Sequence, residues 1–330
     1  MNTCRQPIIS VVVPCYNEDH VVDEFHRRTA PILAGVTEDF EIIFVNDGST
    51  DGTVEKVRSL HEADPRVKLI DLSRNFGKEI AMTAGIDFAG GEAVVVMDAD
   101  LQDPPELIPE MVRRWREGAD VVYATRTMRE GEGFIKKVTA KAFYRLIGRI
   151  TRISIPEDTG DFRLMNRRSV DALKRLRERH RFMKGLFSWV GFRQVSIRYR
   201  REPRFAGTTK WNYWKLWNFA IEGITSFSIG PLQFATYFGV VTAIFAFLYA
   251  FFLVVRTLIL GIDVPGYASI MVTILFFSGV QLITLGIMGE YIGRMFNETK
   301  NRPLYLVQGL LGLADDAGGE EHALVRGVLK

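Results

Sequence analysis

The chain has 330 residues, 47% of them hydrophobic, with 42 Lys and Arg against 39 Asp and Glu and a net charge of +3. That length supports one large core or two domains, and so small a charge gives no reason to expect nucleic acid as a partner. The charge is unevenly spread: residues 126–215 are rich in Arg and Lys and residues 223–255 carry none, the contrast of a water-facing part joined to a membrane part. Cys4 and Cys15 have neither metal-ligand spacing nor the pairing of a disulfide-stapled fold, which fits a reducing cytoplasm. MNTCRQPIISVVVP lacks a long apolar run leading to a small-residue cleavage site, so no signal peptide is expected.

From residue 8 to residue 125, short apolar runs alternate with amphipathic stretches: IISVVV, EIIFV, VKLIDL, AVVVM and DVVYA, with helical patterns between them. Runs buried on both faces and separated by helices predict an α/β domain with a parallel sheet. Ligands of such sheets gather beyond the carboxyl ends of the strands. Here those ends read PCYNE, NDGSTDGT, LSRNFGK, DADLQD and ATR, so polar chemistry is expected along one rim. Residues 134–150 place apolar residues on one helical stripe and Lys137, Lys141, Arg145 and Arg149 on another, a pattern suited to an anionic bilayer surface. Trp211, Trp214 and Trp217 mark a second interfacial stretch. Two uncharged stretches, 223–255 and 264–289, each exceed the roughly 20 residues that cross a bilayer as a helix. The connection between them holds only Arg256 and Asp263, whereas cations precede the first and Arg294, Lys300 and Arg302 follow the second, so both ends are expected in the cytoplasm. From about residue 309 the tail mixes Gly with charges and is expected to be mobile.

DADLQD brings Asp98, Asp100 and Asp103 to one strand end, where their charges repel unless a cation joins them. Asp100 and Gln102, two apart on a chain leaving the strand, can point the same way as hard oxygen ligands for Mg²⁺ or Mn²⁺, with a nucleotide diphosphate completing the shell. Asp98 suits a ribose or the steering of the metal. After the first strand, Tyr16 offers a ring to a base, and Asn17 and Glu18 offer polar groups to base or ribose; after the second, Asp47 can accept hydrogen bonds from either. No G-x-G-x-x-G or G-K-[ST] loop is present, which excludes the dinucleotide oxidoreductase and P-loop classes.

Through PCYNE, NDGSTDGT, LSRNFGKE, DADLQDPPE, TGDFRL, RFAGTTKW and GEYIGR, over about residues 8–308, the sequence resembles the inverting nucleotide-sugar transferases of the GT-A fold. Within them it is most similar to the polyprenyl-phosphate transferases, above all the bacterial bactoprenol glucosyltransferases, and also to the dolichol-phosphate mannose synthases. The resemblance implies a Rossmann-like GT-A domain over 1–210, an interface helix over 211–228, transmembrane helices over 229–260 and 268–292 with a short external loop at 261–267, and a cytoplasmic tail over 293–330. It implies that Pro14, Tyr16, Asn17, Glu18, Asp47, Lys78 and Asp98 hold the donor nucleotide, and that Asp98, Asp100 and Gln102 hold the metal. Asp161 of TGDFRL is implied as the catalytic carboxylate; read locally, it is equally a loop acid or helix cap before FRLMNRRSVDAL. Arg126, Arg204, Thr209 and Lys210 are implied to hold the acceptor phosphate, Thr209 standing where the family more often has Ser.

The implied reaction moves a hexose, glucose first, from a UDP-sugar to undecaprenyl phosphate at the cytoplasmic face of the bacterial inner membrane, with inversion, for O-antigen or another surface glycan. A homo-oligomer, a tetramer by similarity, is implied as well. Alternatives are another sugar (N-acetylglucosamine, mannose or a modified arabinose), a processive polysaccharide synthase, and a non-catalytic membrane scaffold. MVRRW lacks the Gln of the synthases' Q-x-x-R-W motif, and a scaffold has no use for clustered acids.

Overall fold

The computed structural model describes residues 7–126, 159–179, 181–199, 230–260 and 266–313. The interface stretches 134–150 and 211–228, Cys4, and Arg204, Thr209 and Lys210 lie outside the described residues.

The apolar runs form the expected strands β1 (Ile9–Cys15), β2 (Phe40–Asn46), β3 (Val67–Leu72), β4 (Ala93–Val96) and β5 (Val121–Arg126). Helices α1 (Val22–Val36), α2 (Thr53–Ala63), α3 (Lys78–Phe88) and α4 (Ile108–Arg116) lie between them. Three further strands were not among those expected: β6 (Thr159–Asn166), β7 (Gln194–Tyr199) and β8 (Val307–Leu311). Helices α5 (Arg167–Lys174) and α6 (Met183–Trp189) lie between β6 and β7. The eight strands make one sheet in the order β7-β5-β6-β4-β1-β2-β3-β8. It is parallel at β4-β1-β2-β3 and at β5-β7, and antiparallel where β6 and β8 join.

Alternation along the central strands divides the core into two layers. Val11 and Val13 face Phe25 of α1, Val57 of α2 and Met111 of α4, whereas Val12 and Val45 face Ala81 of α3, Leu173 of α5 and Leu186 of α6. Helix α3 is seated closely because residue 85 is glycine: a Cβ there would come 2.2 Å from Val12 Cγ1 and 2.9 Å from Val45 Cγ2. That seat aims the first residue of α3, Lys78, over the end of the sheet.

Two corrections to the sequence reading follow. The parallel run does not continue from β4 to β5, because β6 inserts between them antiparallel to both. The tail expected to be mobile from residue 309 begins with β8, which covers the β3 edge that would otherwise offer unpaired backbone groups. Ahead of β8, the buried Tyr305 donates its hydroxyl to Asp87 Oδ2 at 3.0 Å.

Helices α7 (Gly230–Leu260) and α8 (Tyr267–Thr299) are long and apolar enough to cross a membrane, and neither is buried within the protein. α8 runs seven residues past the 292 boundary expected for the second span, and its end is tied to the sheet domain: the Arg179 N–H donates to Glu298 Oε1 at 2.7 Å.

Candidate active site

Beyond the carboxyl ends of β1 and β2, two loops are tied to each other. Asn17 adopts a left-handed φ of 55°; its N–H donates to Ser49 Oγ and its Oδ1 accepts the Thr50 N–H, both at 2.9 Å. The Glu18 N–H donates to Thr53 Oγ1 at 3.0 Å. The Asn17 side chain is thus engaged in the turn, while Tyr16, 45% exposed, presents its ring at the rim. Pro14, half-buried, lies near the end of β1 opposite Val45.

Asp47 is only 3% exposed, and its carboxylate accepts the N–H groups of Phe76 at 2.7 Å and Gly77 at 2.9 Å. Burial raises its pKa above the usual carboxylate range against the pull of these amides. The approach of the two loops depends on Gly48, at φ 70°, where a Cβ would come 2.5 Å from the Asn75 nitrogen. Asp47, expected at the base or ribose, therefore braces the turn that starts α3 and so places Lys78.

Lys78 lies at the centre of the site. Its Nζ is 2.6 Å from Asp98 Oδ1 and 2.6 Å from Asp161 Oδ2. Asp161 is neither loop acid nor helix cap: it lies in β6, and Asn166 caps α5 by accepting the Ser169 N–H. The antiparallel register pairs Val96 with Arg163; carried two residues further, it sets Asp161 opposite Asp98. Two carboxylates so placed repel, and one ammonium between them compensates. Burial alone would raise the Asp161 carboxyl, but Lys78 and then Lys184 outweigh it and hold it well below the usual range. Burial likewise opposes the Lys78 charge, and Asp98 and Asp161 together push its pKa well above the usual lysine value.

Asp100 Oδ1 accepts the Gln102 N–H at 3.1 Å. Between them, Leu101 has φ 56° with its side chain 2% exposed. A left-handed leucine costs about 1–2 kcal/mol, strain of the kind that clusters at ligand sites. Asp103 departs from the expected cluster: it is 2% exposed and accepts the Tyr199 hydroxyl. Among the described residues, no three His, Cys, Asp or Glu side chains converge as a metal cage. Asp100 and Gln102 carry hard oxygen atoms of the kind a divalent cation takes.

Arg126 ends β5, with its Nε 3.5 Å from the Tyr199 hydroxyl. It also packs beside β6, since a Cβ on Gly160 would lie 3.2 Å from an Arg126 terminal nitrogen. The fold therefore brings Lys78, Asp98, Asp161 and Arg126 to the same end of the sheet.

Sequence reasoning missed Glu79, Arg163 and Lys184. Buried Arg163 donates to the carbonyls of Gly160 at 2.9 Å and Asp161 at 3.2 Å, and its guanidinium lies 3.7 Å over the Phe187 ring of α6. Burial lowers its pKa to about 10. Glu79 Oε2 accepts the Met183 N–H at 2.9 Å, fastening the start of α6 beside Lys78. The one available signal was an arginine inside an otherwise apolar FRLM run, where a buried cation must serve a partner.

Burial, then the charge of Asp161, pushes Glu79 up to about 7. With its folded pKa above the unfolded value near 4.5, Glu79 contributes stability that is full below that value and lost as pH rises through about 7. Glu79→Gln, neutral throughout and still able to accept from Met183, is expected to gain in Tm over the wild type between about pH 5 and about pH 8. Thermal unfolding of the detergent-solubilised chain at both pH values checks this; parallel curves would rule it out.

The chain belongs to glycosyl transferase family 2, whose profile matches residues 10–174. It is 56% identical over 305 residues to an uncharacterized glycosyltransferase of Synechocystis sp., covering 92% of this chain and 96% of that protein. It is 47% identical over 300 residues to the SfII prophage-derived bactoprenol glucosyl transferase of Shigella flexneri, covering 91% and 97%. Glucosyl-3-phosphoglycerate synthase from Mycobacterium tuberculosis, solved with Mn²⁺, UDP and glucosyl-3-phosphoglycerate, is 19% identical, with a TM-score of 0.44 over 67% of this chain and 78% of that one.

Proposed function

We propose that the chain transfers glucose from UDP-glucose to a polyprenyl phosphate, with inversion, at the cytoplasmic face of a bacterial inner membrane. The observation that carries this reading is the Asp98–Lys78–Asp161 bridge, set on a domain that continues into two membrane-length apolar helices. The bactoprenol glucosyl transferase at 47% identity supports both the sugar and the acceptor. The charge pattern around the helices supports placing both ends in the cytoplasm.

In this reading Tyr16 receives the base, and Pro14, Asn17 and Glu18 shape its pocket with the loop that Asp47 holds. Asp98 faces the ribose and diphosphate side. Asp100 and Gln102, with Asp98, hold a divalent cation, Mg²⁺ or Mn²⁺, which when bound neutralises charge on the departing UDP. The acceptor phosphate, with a second pKa near 6, is mostly a dianion at neutral pH and needs no strong base. Asp161 therefore works as a charge: held ionised by Lys78, it faces the positive charge that develops at the anomeric carbon. Arg126, with Arg204, Thr209 and Lys210, steadies the incoming phosphate.

The test is to incubate the purified full-length chain with undecaprenyl phosphate, a divalent cation and a panel of labelled nucleotide sugars. Label is expected in the lipid fraction from UDP-glucose ahead of UDP-N-acetylglucosamine, GDP-mannose and an arabinose donor. Preference for another donor would overturn the sugar assignment, and no lipid-linked label from any of them would overturn the acceptor.

A further inference from the structure

Among the described residues, Lys184 is the cation of the active site without a partner. It is half-buried, one residue into α6, and its ammonium donates no hydrogen bond and makes no ion pair among the described residues. The other cations near Asp161 are engaged. Lys78 spans two carboxylates, Arg163 holds two carbonyls and stacks on Phe187, and Arg126 lies against the Tyr199 hydroxyl that donates to Asp103.

Its position is imposed from both sides. One residue before it, the Met183 N–H is held by Glu79, the neighbour of Lys78. Three residues after it, Phe187 lies under Arg163, which grips the backbone of Gly160 and Asp161. These two contacts hold the start of α6 against Lys78 and Asp161, and the charge of Lys184 helps keep Asp161 ionised. Taking a strongly hydrated ammonium partly out of water is unfavourable unless an anion meets it, and no protein anion bonds it here. The Asp161 and Glu79 charges favour its ionised form, and its hydrogen-bonding capacity is left for an anion that arrives with a substrate.

The reaction requires such a group. A phosphate dianion has to approach an anomeric carbon faced by the Asp161 carboxylate, and two anions at that separation repel unless a cation accompanies the newcomer. Lys78 is committed to Asp98 and Asp161, the donor diphosphate has the divalent site at Asp100 and Gln102, and Lys184 joins the cations assigned above to the phosphate, Arg126, Arg204 and Lys210, from the Asp161 side. We propose that Lys184 is a substrate-contacting residue that accepts a phosphate oxygen of the polyprenyl phosphate as it comes up to Asp161. This rests on the polyprenyl-phosphate reading above.

The experiment uses the full-length chain in detergent, as wild type, K184Q and K184R, with two readouts. Steady-state transfer gives KM for UDP-glucose and for the lipid phosphate separately; calorimetric titration of farnesyl phosphate into the UDP-loaded protein gives binding without turnover. Losing one charge-assisted hydrogen bond to phosphate corresponds to about a ten- to hundredfold effect. K184Q is expected to raise the acceptor KM and weaken farnesyl phosphate binding by that factor, with KM for UDP-glucose within about twofold of wild type, and K184R is expected to restore most of both. A rise in the donor KM in place of the acceptor KM would reassign Lys184 to the diphosphate and overturn the proposal; so would K184Q binding farnesyl phosphate as tightly as the wild type. The underlying reading fails separately: a wild-type chain that binds farnesyl phosphate through Lys184 and transfers no sugar would refute the transfer and leave the phosphate contact standing.

Discussion

Asp161→Asn is expected to lower the turnover of sugar transfer by about 10²–10³-fold, the scale on which a preorganised charge at a developing transition-state charge contributes. Asp161 has 11% of its side chain exposed, gives Oδ2 to Lys78, and keeps a buried Oδ1 that accepts no hydrogen bond among the described residues. Asparagine preserves the shape and removes the charge, while Lys78 retains Asp98, so the pocket stays assembled and KM for the donor should change little. The pH profile separates the two roles open to a carboxylate. As an electrostatic group held ionised well below neutrality, Asp161 lowers kcat by the same factor at every pH when it is lost, and the limb near pH 6 belonging to the acceptor phosphate survives. Label incorporation measured from about pH 5 to about pH 9 decides this. Residual activity within tenfold of wild type would remove Asp161 from the chemistry, and a displaced limb would make it a base.

Asp100→Ala is expected to reduce transfer by about 10³-fold and to weaken divalent cation binding in the presence of UDP, because Lewis-acid stabilisation of the leaving group is worth several kcal/mol. The effect has two sources in this fold. One is the loss of a hard oxygen ligand; the other is the loss of the Gln102 N–H acceptor that sets the turn around left-handed Leu101. Asp100→Asn retains that acceptor, so it should bind Mn²⁺ more weakly than the wild type and more tightly than the alanine variant. Electron paramagnetic resonance of free Mn²⁺ in titrations with UDP measures all three chains without turnover. Treating the wild type with a chelator should likewise abolish transfer, with recovery on adding Mg²⁺ or Mn²⁺. Unchanged Mn²⁺ binding by the alanine variant would move the cation away from DADLQD.

Much of this was legible because it is local. Five β-branched runs, their helical spacers and the polar strand ends follow from periodicity, and α7 and α8 follow from length and apolarity, which need no partner to be recognised. The motif residues Asp98, Asp100 and Asp161 were legible as chemistry, although nothing in their spacing brings residue 161 to residue 98. β6 and β8 were missed because their signal is weak where it is read: TGDFRLMN carries Asp, Arg and Asn through a strand, and VQGLL has a glycine at its centre. Both are strands because an edge or a gap in the sheet was waiting for them, and pairing outweighs propensity in such places.

Side-chain assignments divided along the same line. Asn17, Asp47 and Asp103 were read as polar groups of the rim, and the fold gives each an intramolecular partner: Asn17 in an exposed turn, and Asp47 and Asp103 in buried positions where a polar group needs one. Glu79, Arg163 and Lys184 belong to no motif of the sequence, yet the approach of α3, α6 and β6 brings them to the site. By itself the sequence determined an α/β domain, two membrane-length helices and an acid-rich rim, because composition and period are properties of neighbouring residues. Only the tertiary structure decided that Lys78 joins Asp98 to Asp161, because those distances depend on an antiparallel register between β4 and β6 and on a glycine-seated helix packed on β1 and β2, segments distant in the chain.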